Sequence, residues 1–196
     1  MRIFLPLLLA LLMLACNRAE HKSASDPAYA MLERVAELNA GGDKQGALTL
    51  ADSALRMHPA DTTRCWLLSE KAVTLVDMGR MADAVDVAQG AYRLAEKLHD
   101  VDAMLNLRGT MGIAYRRLGK TDSALVQYKE GIQMALAEHN AEYEIYLNNC
   151  VTVLYSENNR FAEALHYAEK TEKAALAAND TIQRLSARAN IGGIYM

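Results

Sequence analysis

The chain has 196 residues, 52% of them hydrophobic and 23% charged, and its formal net charge is −3. A chain of this length forms one or two compact domains or one short repeat array. The small negative charge and the lack of any cluster of lysine and arginine exclude a basic nucleic-acid-binding surface and disfavour electrostatic adhesion to anionic lipid.

The first sixteen residues predict a targeting segment. Arg2 is followed by an apolar run from Ile3 to Ala15, which is too short to span a bilayer and fits a secretory signal. The junction Ala15-Cys16 resembles the signal of bacterial lipoproteins, in which the peptide is cut before a cysteine that is then lipidated. An ordinary cleaved signal and a short uncleaved anchor remain as alternatives.

The lipoprotein resemblance implies a signal peptide over residues 1–15 and lipidation of Cys16. The residues that follow Cys16 are polar and lack periodicity, which predicts a flexible tether over residues 16–26. Acyl chains would then hold the protein to a membrane of the bacterial cell envelope, facing the periplasm or the exterior.

The composition of the remaining chain, residues 27–196, predicts helices throughout. Good helix formers are abundant, and the alternating runs of β-branched residues that indicate strands are missing. Proline is limited to Pro6, Pro27 and Pro59, so long stretches contain no helix breaker.

The first helical unit is predicted over residues 27–59. Asp26-Pro27 indicates a helix start, because aspartate caps a helix and proline suits its first turn. Gly41-Gly42 then predicts a break, and the proline at position 59 closes the unit.

Downstream of this unit, residues of similar kind recur every forty positions. Glycine or asparagine recurs where a helix would end in the left-handed conformation, and aspartate or asparagine recurs where the next helix would begin with a side-chain cap. These positions are Gly79, Gly119 and Asn159 for the ends, and Asp100, Asn140 and Asp180 for the starts. Further columns are Ala84, Ala124 and Ala164; Ala95, Ala135 and Ala175; and Tyr115, Tyr155 and Tyr195. A fixed period of this size is typical of a helical repeat array.

The columns predict seven helices after the first unit. They cover residues 61–78, 81–98, 101–118, 121–138, 141–158, 161–178 and 181–196. Paired, they form units 61–98, 101–138 and 141–178 and a half unit 181–196. We expect the half unit to be the first helix of a further hairpin in a longer protein; a truncated gene, or a partner that covers its apolar face, are the alternatives.

The pattern resembles the tetratricopeptide repeat over residues 27–196. Four features carry the resemblance. A small residue lies three positions before a tyrosine, a glycine follows, alanines lie on the second helix, and a proline comes after that helix. The matching residues are Gly112-Ile113-Ala114-Tyr115, Gly119, Ala124 and Tyr128, and, in the first unit, Gly42, Ala47, Ala51, Ala54 and Pro59. The resemblance implies an all-α fold, a right-handed α-α superhelix of about four and a half helical hairpins.

No residue pattern indicates catalysis, a cofactor or a metal. Phosphate-binding loops, zinc-protease helices and serine elbows are missing. His58, His99 and His139 fall near the ends of successive second helices, about 10 Å apart by helix packing, which suits the helix dipole better than one shared ion. Cys65 and Cys150 fall on equivalent helices two units apart, too far for a disulfide, so we expect two free thiols.

The tetratricopeptide resemblance implies that the first helix of each unit lines a concave groove that receives a peptide or partner segment. One inward column would be Trp66, Asn106, Tyr146 and Ser186. Its neighbours would be Ser69, Arg116, Asn149 and Ser156. Amides and aromatic rings can bind a peptide backbone without a fixed sequence, although solvated helix faces carry the same residue types.

These observations lead to two hypotheses about function. The first is a lipid-anchored scaffold, without enzymatic activity, that binds a protein or peptide in its groove at the bacterial cell envelope. The second is the envelope sensor region of a longer signal-transduction protein that ends in a histidine kinase or a helix-turn-helix DNA-binding domain. The oligomeric state is left open.

Overall fold

The computed structural model describes residues 27–194, which contain nine α-helices and no strand. The helices are α1 Pro27–Gly41, α2 Lys44–Leu55, α3 Asp61–Asp77, α4 Met81–Leu98, α5 Val101–Arg117, α6 Thr121–Ala137, α7 Ala141–Glu157, α8 Phe161–Ala177 and α9 Thr181–Ile194. The predicted signal peptide, Cys16, the tether and the last two residues lie outside the described range. The prediction of an all-α fold is confirmed.

The helix boundaries follow the residues that recur at forty-residue intervals. Helices α3 to α8 begin at the predicted residue and end at most one residue before the predicted end. The backbone after α3 and α5 turns through Gly79 at φ 79° and Gly119 at φ 73°, and the backbone after α7 turns through Asn159 at φ 57°. Glycine and asparagine tolerate this left-handed conformation better than other residues.

The starts of α5, α7 and α9 are capped by side chains, as the sequence predicts. The carboxylate of Asp100 accepts a hydrogen bond from the backbone of Ala103 at 3.0 Å, and the amide oxygen of Asn140 accepts one from Tyr143 at 3.2 Å. Asp180 accepts one from the backbone of Gln183 at 2.9 Å. Each cap satisfies a backbone N–H that the helix itself leaves without a partner.

The histidines at the ends of the second helices have a backbone role that the sequence did not reveal. His58, His99 and His139 adopt φ values of 51°, 54° and 54°, so they occupy the left-handed turn that ends α2, α4 and α6. In the fourth hairpin, Asn179 occupies the same place with φ 57°. Within residues 27–194 no group of three histidine, cysteine or acidic side chains is arranged to hold a metal ion.

The two helices of each hairpin pack through alanine. The alanine columns of the second helices are fully buried, and they comprise Ala84, Ala124 and Ala164, and Ala95, Ala135 and Ala175. Side chains this small let helix axes approach to the short end of the usual 8–10 Å. Larger side chains such as Leu67, Leu105 and Leu147 fill the space beside them without exposure to solvent.

The array curves because its two layers pack differently. Consecutive first helices, α1, α3, α5, α7 and α9, contact one another along the described chain, whereas consecutive second helices do not pack against each other. The layer of first helices is therefore the shorter, inner layer, and its solvent-facing side is concave.

The cysteines outside the leader are both free thiols. Burial, helped by the nearby charge of Asp100, raises the pKa of Cys65 to about 12. Burial likewise raises the pKa of Cys150 to about 11. Since the thiolate is the reactive form, both side chains act as small core residues.

Candidate protein-binding groove

The concave surface is formed by one stripe of residues on each of α3, α5, α7 and α9. Members of a stripe are three or four residues apart, which places them on the same face of their helix. We call this surface the groove, and it consists of Thr62, Trp66, Ser69 and Val73; Asp102, Asn106, Gly109 and Ile113; Glu142, Tyr146, Asn149 and Val153; and Ile182, Ser186, Ala189 and Gly193. Arg116 and Ser156 extend the stripes of α5 and α7 at the far end.

The position of Trp66 is fixed by Asp100, the residue that caps α5. Its indole nitrogen donates a hydrogen bond to the carboxylate of Asp100 at 3.0 Å, while the same carboxylate caps α5. One aspartate therefore sets both the start of a helix and the position of a half-buried aromatic ring at the wall of the groove.

Ser69 holds Asn106 rather than presenting its own hydroxyl. Ser69 is only 1% exposed, and its hydroxyl donates to the amide oxygen of Asn106 at 2.8 Å. The amide nitrogen of Asn106 donates no hydrogen bond to another residue in the described chain. This half-buried donor is therefore oriented by the protein and left available to an acceptor in the groove.

Tyr146 leans across the gap between α7 and α5. A Cβ atom on Gly109 would lie 2.7 Å from Cε1 of the tyrosine, so glycine is needed for this close approach. The ring packs edge-on against Tyr143, with centroids 6.4 Å apart, and Tyr146 remains 39% exposed. Burial of the hydroxyl end raises its pKa well above the ordinary range, so the phenol stays neutral.

Asn149 and Ser156 lie at the α7–α9 side of the groove. The amide nitrogen of Asn149 donates to Gln183 at 3.5 Å, and its oxygen accepts from Asn190 at 3.4 Å. Ser156 lines an open cavity of about 290 Å³ together with apolar side chains that include Val153 and Phe161. The two hydrogen bonds of Asn149 are at the long limit of hydrogen-bond geometry, so groups of a ligand can replace them.

Arg116 is committed to an ion pair. Its guanidinium bonds the carboxylate of Glu157, which ties α5 to α7 at the far end of the groove. At the opposite end, Asp102 and Glu142 stand in the first turns of α5 and α7. Partial burial, together with the charges of Asp102 and Asp180, raises the pKa of Glu142.

The structure places the predicted residues on four successive first helices, α3, α5, α7 and α9, and adds members that the sequence analysis missed. A hydrogen bond joins Ser69 to Asn106. Trp66 and Arg116 bond residues outside the predicted set, and Tyr146 packs against Gly109, which is also outside it. The missed residues include Asp102, Gly109, Glu142 and Val153. The forty-residue spacing contains the signal for them, because Gly109 shares a column with Ser69 and Asn149, and Asp102 shares one with Glu142.

Across residues 27–194, no helix combines the length and the hydropathy that crossing a bilayer would require.

Known proteins resemble this chain in sequence and in fold. A family model for the tetratricopeptide repeat matches residues 63–137. Outer dynein arm-docking complex subunit 4 of Xenopus laevis is 25% identical over 182 residues, which cover 87% of this chain and 34% of that protein. The chain therefore spans about a third of the length of this relative.

Several solved structures share the fold at low sequence identity. A variant of a putative kinesin light chain from Podosopora anserina, with nearly identical TPR-like repeats, has a TM-score of 0.70 at 15% identity and covers 85% of this chain and 84% of its own. Aspartyl phosphate phosphatase F from Bacillus subtilis has a TM-score of 0.74 at 16% identity, with 86% and 48% covered. BtubC from P. vanneervenii has a TM-score of 0.64 at 15% identity, with 86% and 81% covered.

Proposed function

Because the described chain is an all-α tetratricopeptide-repeat solenoid, we propose that it is a scaffold that binds a segment of another protein in its groove. The observation that carries the proposal is the pairing of Ser69 with Asn106. The protein uses one buried hydroxyl to hold an amide whose donor group faces the groove.

An oriented amide favours binding of extended backbone. A peptide carbonyl can accept from the amide nitrogen of Asn106, and the weakly bonded amide of Asn149 can exchange its contacts for those of a ligand. Trp66 and Tyr146 supply flat apolar surface with little side-chain freedom to lose. Such a site binds without covalent chemistry, and its rigid helices reduce the entropy lost on binding.

A selection experiment tests this function directly. Peptides of about twelve residues would be selected from a random phage-displayed library against the full chain, and their affinities measured by fluorescence anisotropy. The double variant Asn106→Ala/Tyr146→Ala removes the groove contacts, and the matched variant Lys129→Ala/Gln133→Ala removes exposed side chains from α6 in the outer layer. We expect the groove variant to lose about tenfold or more in affinity, with the outer variant unchanged. Equal binding to both variants, with circular dichroism showing both folded, would exclude the groove.

We place the scaffold at the bacterial cell envelope, held by lipid on Cys16. The support is the leader, an arginine followed by an apolar run that ends at this cysteine. Mass spectrometry of the chain produced in a bacterium should find an acylated N-terminal cysteine, and Cys16→Ser should abolish the mass increase. An N-terminus at any other residue in the unsubstituted chain would exclude the anchor.

The alternative, a sensor region of a longer signal transducer, has support in the surface of α9. Leu185 is 57% exposed, whereas Leu105 and Ile145, its equivalents in earlier units, are 0% and 3% exposed beneath a second helix. A further helix on this face would complete the hairpin. The gene sequence beyond the last codon decides this alternative, because a sensor requires a membrane span and a cytoplasmic signalling domain to follow.

A further inference from the structure

A second cavity lies in the outer layer of the array, between α4 and α6. It has a volume of about 240 Å³ and is open to solvent. Because consecutive second helices do not pack against each other, side chains of the first helix α5 form its floor. We call it the outer cavity, and it is lined by Tyr92 and Arg93 of α4, Arg108 and Met111 of α5, and Gln127 and Glu130 of α6.

Arg108 connects α5 to both neighbouring second helices. Its guanidinium carbon lies 4.8 Å from the centroid of the Tyr92 ring on α4. Its Nη1 donates hydrogen bonds to the carboxylate of Glu130 and, at 3.3 Å, to the amide oxygen of Gln127, both on α6. The side chain is only 14% exposed, so the ring and the ion pair hold the guanidinium in one position.

One edge of this guanidinium is unused. The nitrogens Nε and Nη2 of Arg108 donate to no residue of the described chain, and Nε is buried. A buried donor without an acceptor costs free energy. A carboxylate can accept from two neighbouring guanidinium nitrogens through parallel hydrogen bonds. An acceptor with two oxygen atoms would therefore complete the site.

The charges that line the outer cavity favour one anion. Arg93 is exposed and makes no ion pair with any residue of the described chain, including the exposed Glu96 one turn further along α4. Two guanidinium groups against the single carboxylate of Glu130 leave one positive charge. One carboxylate from a ligand would make the site neutral, and the attraction between the opposite charges favours its binding.

The shape of the outer cavity suits a side chain of another protein better than a free small molecule. Sites for small molecules usually have volumes of about 300–1,000 Å³ and enclose most of the ligand, whereas this cavity is smaller and open. Tyr92 and Met111 supply apolar surface for the methylene groups that precede a carboxylate. Aspartate and glutamate carry their carboxylates on short stems of this kind.

We propose that the outer cavity binds the side-chain carboxylate of an aspartate or glutamate in a partner protein. The carboxylate accepts hydrogen bonds from the Nε–Nη2 edge of Arg108 and meets the positive charge of Arg93. The outer cavity lies between second helices, whereas the groove is formed by first helices. This inference therefore goes beyond the proposed function and does not depend on it.

A second selection tests this inference. Peptides of about twelve residues would be selected from a random phage-displayed library against the full chain carrying Asn106→Ala/Tyr146→Ala, so that the groove contacts are absent. Their affinities would be measured by fluorescence anisotropy at about 50 mM and 300 mM salt. In this background, Arg93→Gln removes the unpaired charge, and Arg108→Lys keeps a charge but removes the Nε–Nη2 edge. Lys173→Gln is the matched control, because Lys173 occupies the position of Arg93 two units further along and is exposed.

We expect aspartate or glutamate to be enriched at one position of the selected peptides. Arg93→Gln and Arg108→Lys should each weaken binding by about threefold to tenfold at low salt, and Lys173→Gln should leave it unchanged. High salt should weaken binding to the background chain more than to Arg93→Gln.

A double-mutant cycle connects the peptide carboxylate to Arg93. Changing the acidic residue of a peptide to its amide should weaken binding to the background chain by about threefold to tenfold. The same change should have a much smaller effect on binding to Arg93→Gln, because the interaction is already lost there. If circular dichroism shows that Arg108→Lys does not fold, this cycle decides the result.

Three results would overturn the inference. They are a selection that yields no acidic peptide, acidic peptides that bind Arg93→Gln and Lys173→Gln equally, and an amide substitution that weakens binding to the background chain and to Arg93→Gln by the same factor. None of them bears on the scaffold function, because the groove contacts are absent from every protein in this experiment.

Discussion

The ring of Tyr128 on α6 lies so close to Gly112 on α5 that a Cβ atom on the glycine would be 2.2 Å from Cε1 of the tyrosine. Tyr128 is fully buried, and its ring packs within a core to which α5, α6, α7 and α8 contribute. The missing side chain at position 112 is therefore what allows a large aromatic residue to fill the centre of the third hairpin.

We predict that Gly112→Ala destabilises the protein and that Gly90→Ala does not. The first substitution forces the buried ring to move, and such overpacking costs about 1–3 kcal/mol. Gly90 lies inside α4 with no atom within 4 Å of a Cβ position, so alanine there should add about 0.5–1 kcal/mol through helix propensity. Urea unfolding measures both; equal stability of Gly112→Ala and the unsubstituted chain would contradict this packing.

Much of the architecture could be predicted because helix ends depend on local chemistry. Gly79 and Asp100 stop and start helices through their own backbone and side chain, so their spacing alone locates the elements. The left-handed conformation of the histidines was not predicted, because glycine and asparagine are the residues expected at such positions. His99 adopts that conformation because the chain must turn at that point, and a histidine, unlike a glycine, does not indicate a positive φ.

The sequence predicts which face of each helix forms the groove, but not which residues on that face are exposed. Periodicity shows that Ser69 and Tyr146 point to the same side of the array, but burial depends on what the neighbouring helix places over each position. Asn106 covers Ser69, whereas Tyr146 lies on a glycine and keeps 39% exposure. Contacts between units therefore decide which members of a predicted stripe can reach a ligand.

The left-handed histidines lead to a second prediction about stability. His139 has φ 54°, and a residue with a Cβ atom is strained there by about 1–2 kcal/mol. Glycine removes this strain but loses more entropy on folding, so we expect His139→Gly to stabilise the protein by about 0.5–1 kcal/mol. His166→Gly, inside α8, should destabilise it by a similar amount. Urea unfolding of both variants measures the two effects. Opposite shifts of their midpoints would show that the gain in His139→Gly comes from the backbone conformation and not from the loss of an imidazole.

Asp100 should be more sensitive than other surface acids, because it caps α5 and holds Trp66. Replacement by alanine removes both hydrogen bonds and should cost about 2 kcal/mol. Asparagine retains one acceptor oxygen, which can keep the cap on Ala103 but not also the bond from Trp66, because that bond goes to the second carboxylate oxygen. We therefore expect Asp100→Asn to cost about 1 kcal/mol, less than the alanine variant. The chain has a single tryptophan, so its fluorescence reports the local effect. An unchanged emission spectrum in Asp100→Ala would show that the indole does not depend on this carboxylate.

The thiols should react slowly while the protein is folded. With pKa values of about 12 for Cys65 and about 11 for Cys150, roughly one molecule in ten thousand and one in a thousand carry the thiolate at pH 8. In a Cys16→Ser background, a disulfide-exchange reagent should therefore label both thiols within seconds in urea and only slowly without it. Rapid labelling of one equivalent in the folded chain would show that Cys150 is accessible and ionised.

Glu142 gives a prediction for the dependence of stability on pH. Partial burial and the charges of Asp102 and Asp180 raise its pKa in the folded chain above the ordinary value of 4.5. Folding therefore disfavours the ionised carboxyl, and this cost is present at neutral pH, where the unfolded chain is ionised. It vanishes below about pH 4, where the carboxyl is protonated in both states.

Replacing Glu142 by glutamine removes the charge while keeping the shape. Glu142→Gln should be more stable than the unsubstituted chain at pH 7 by a few tenths of a kcal/mol, the scale of exposed charge pairs, and equal to it at pH 3.5. Glu96→Gln on α4 is the control and should show no such difference between the two pH values. Thermal unfolding of the three proteins at both pH values measures this contrast. A glutamine variant that is less stable at pH 7 would mean that the carboxylate makes a favourable contact, and the repulsion along the groove edge would then be refuted.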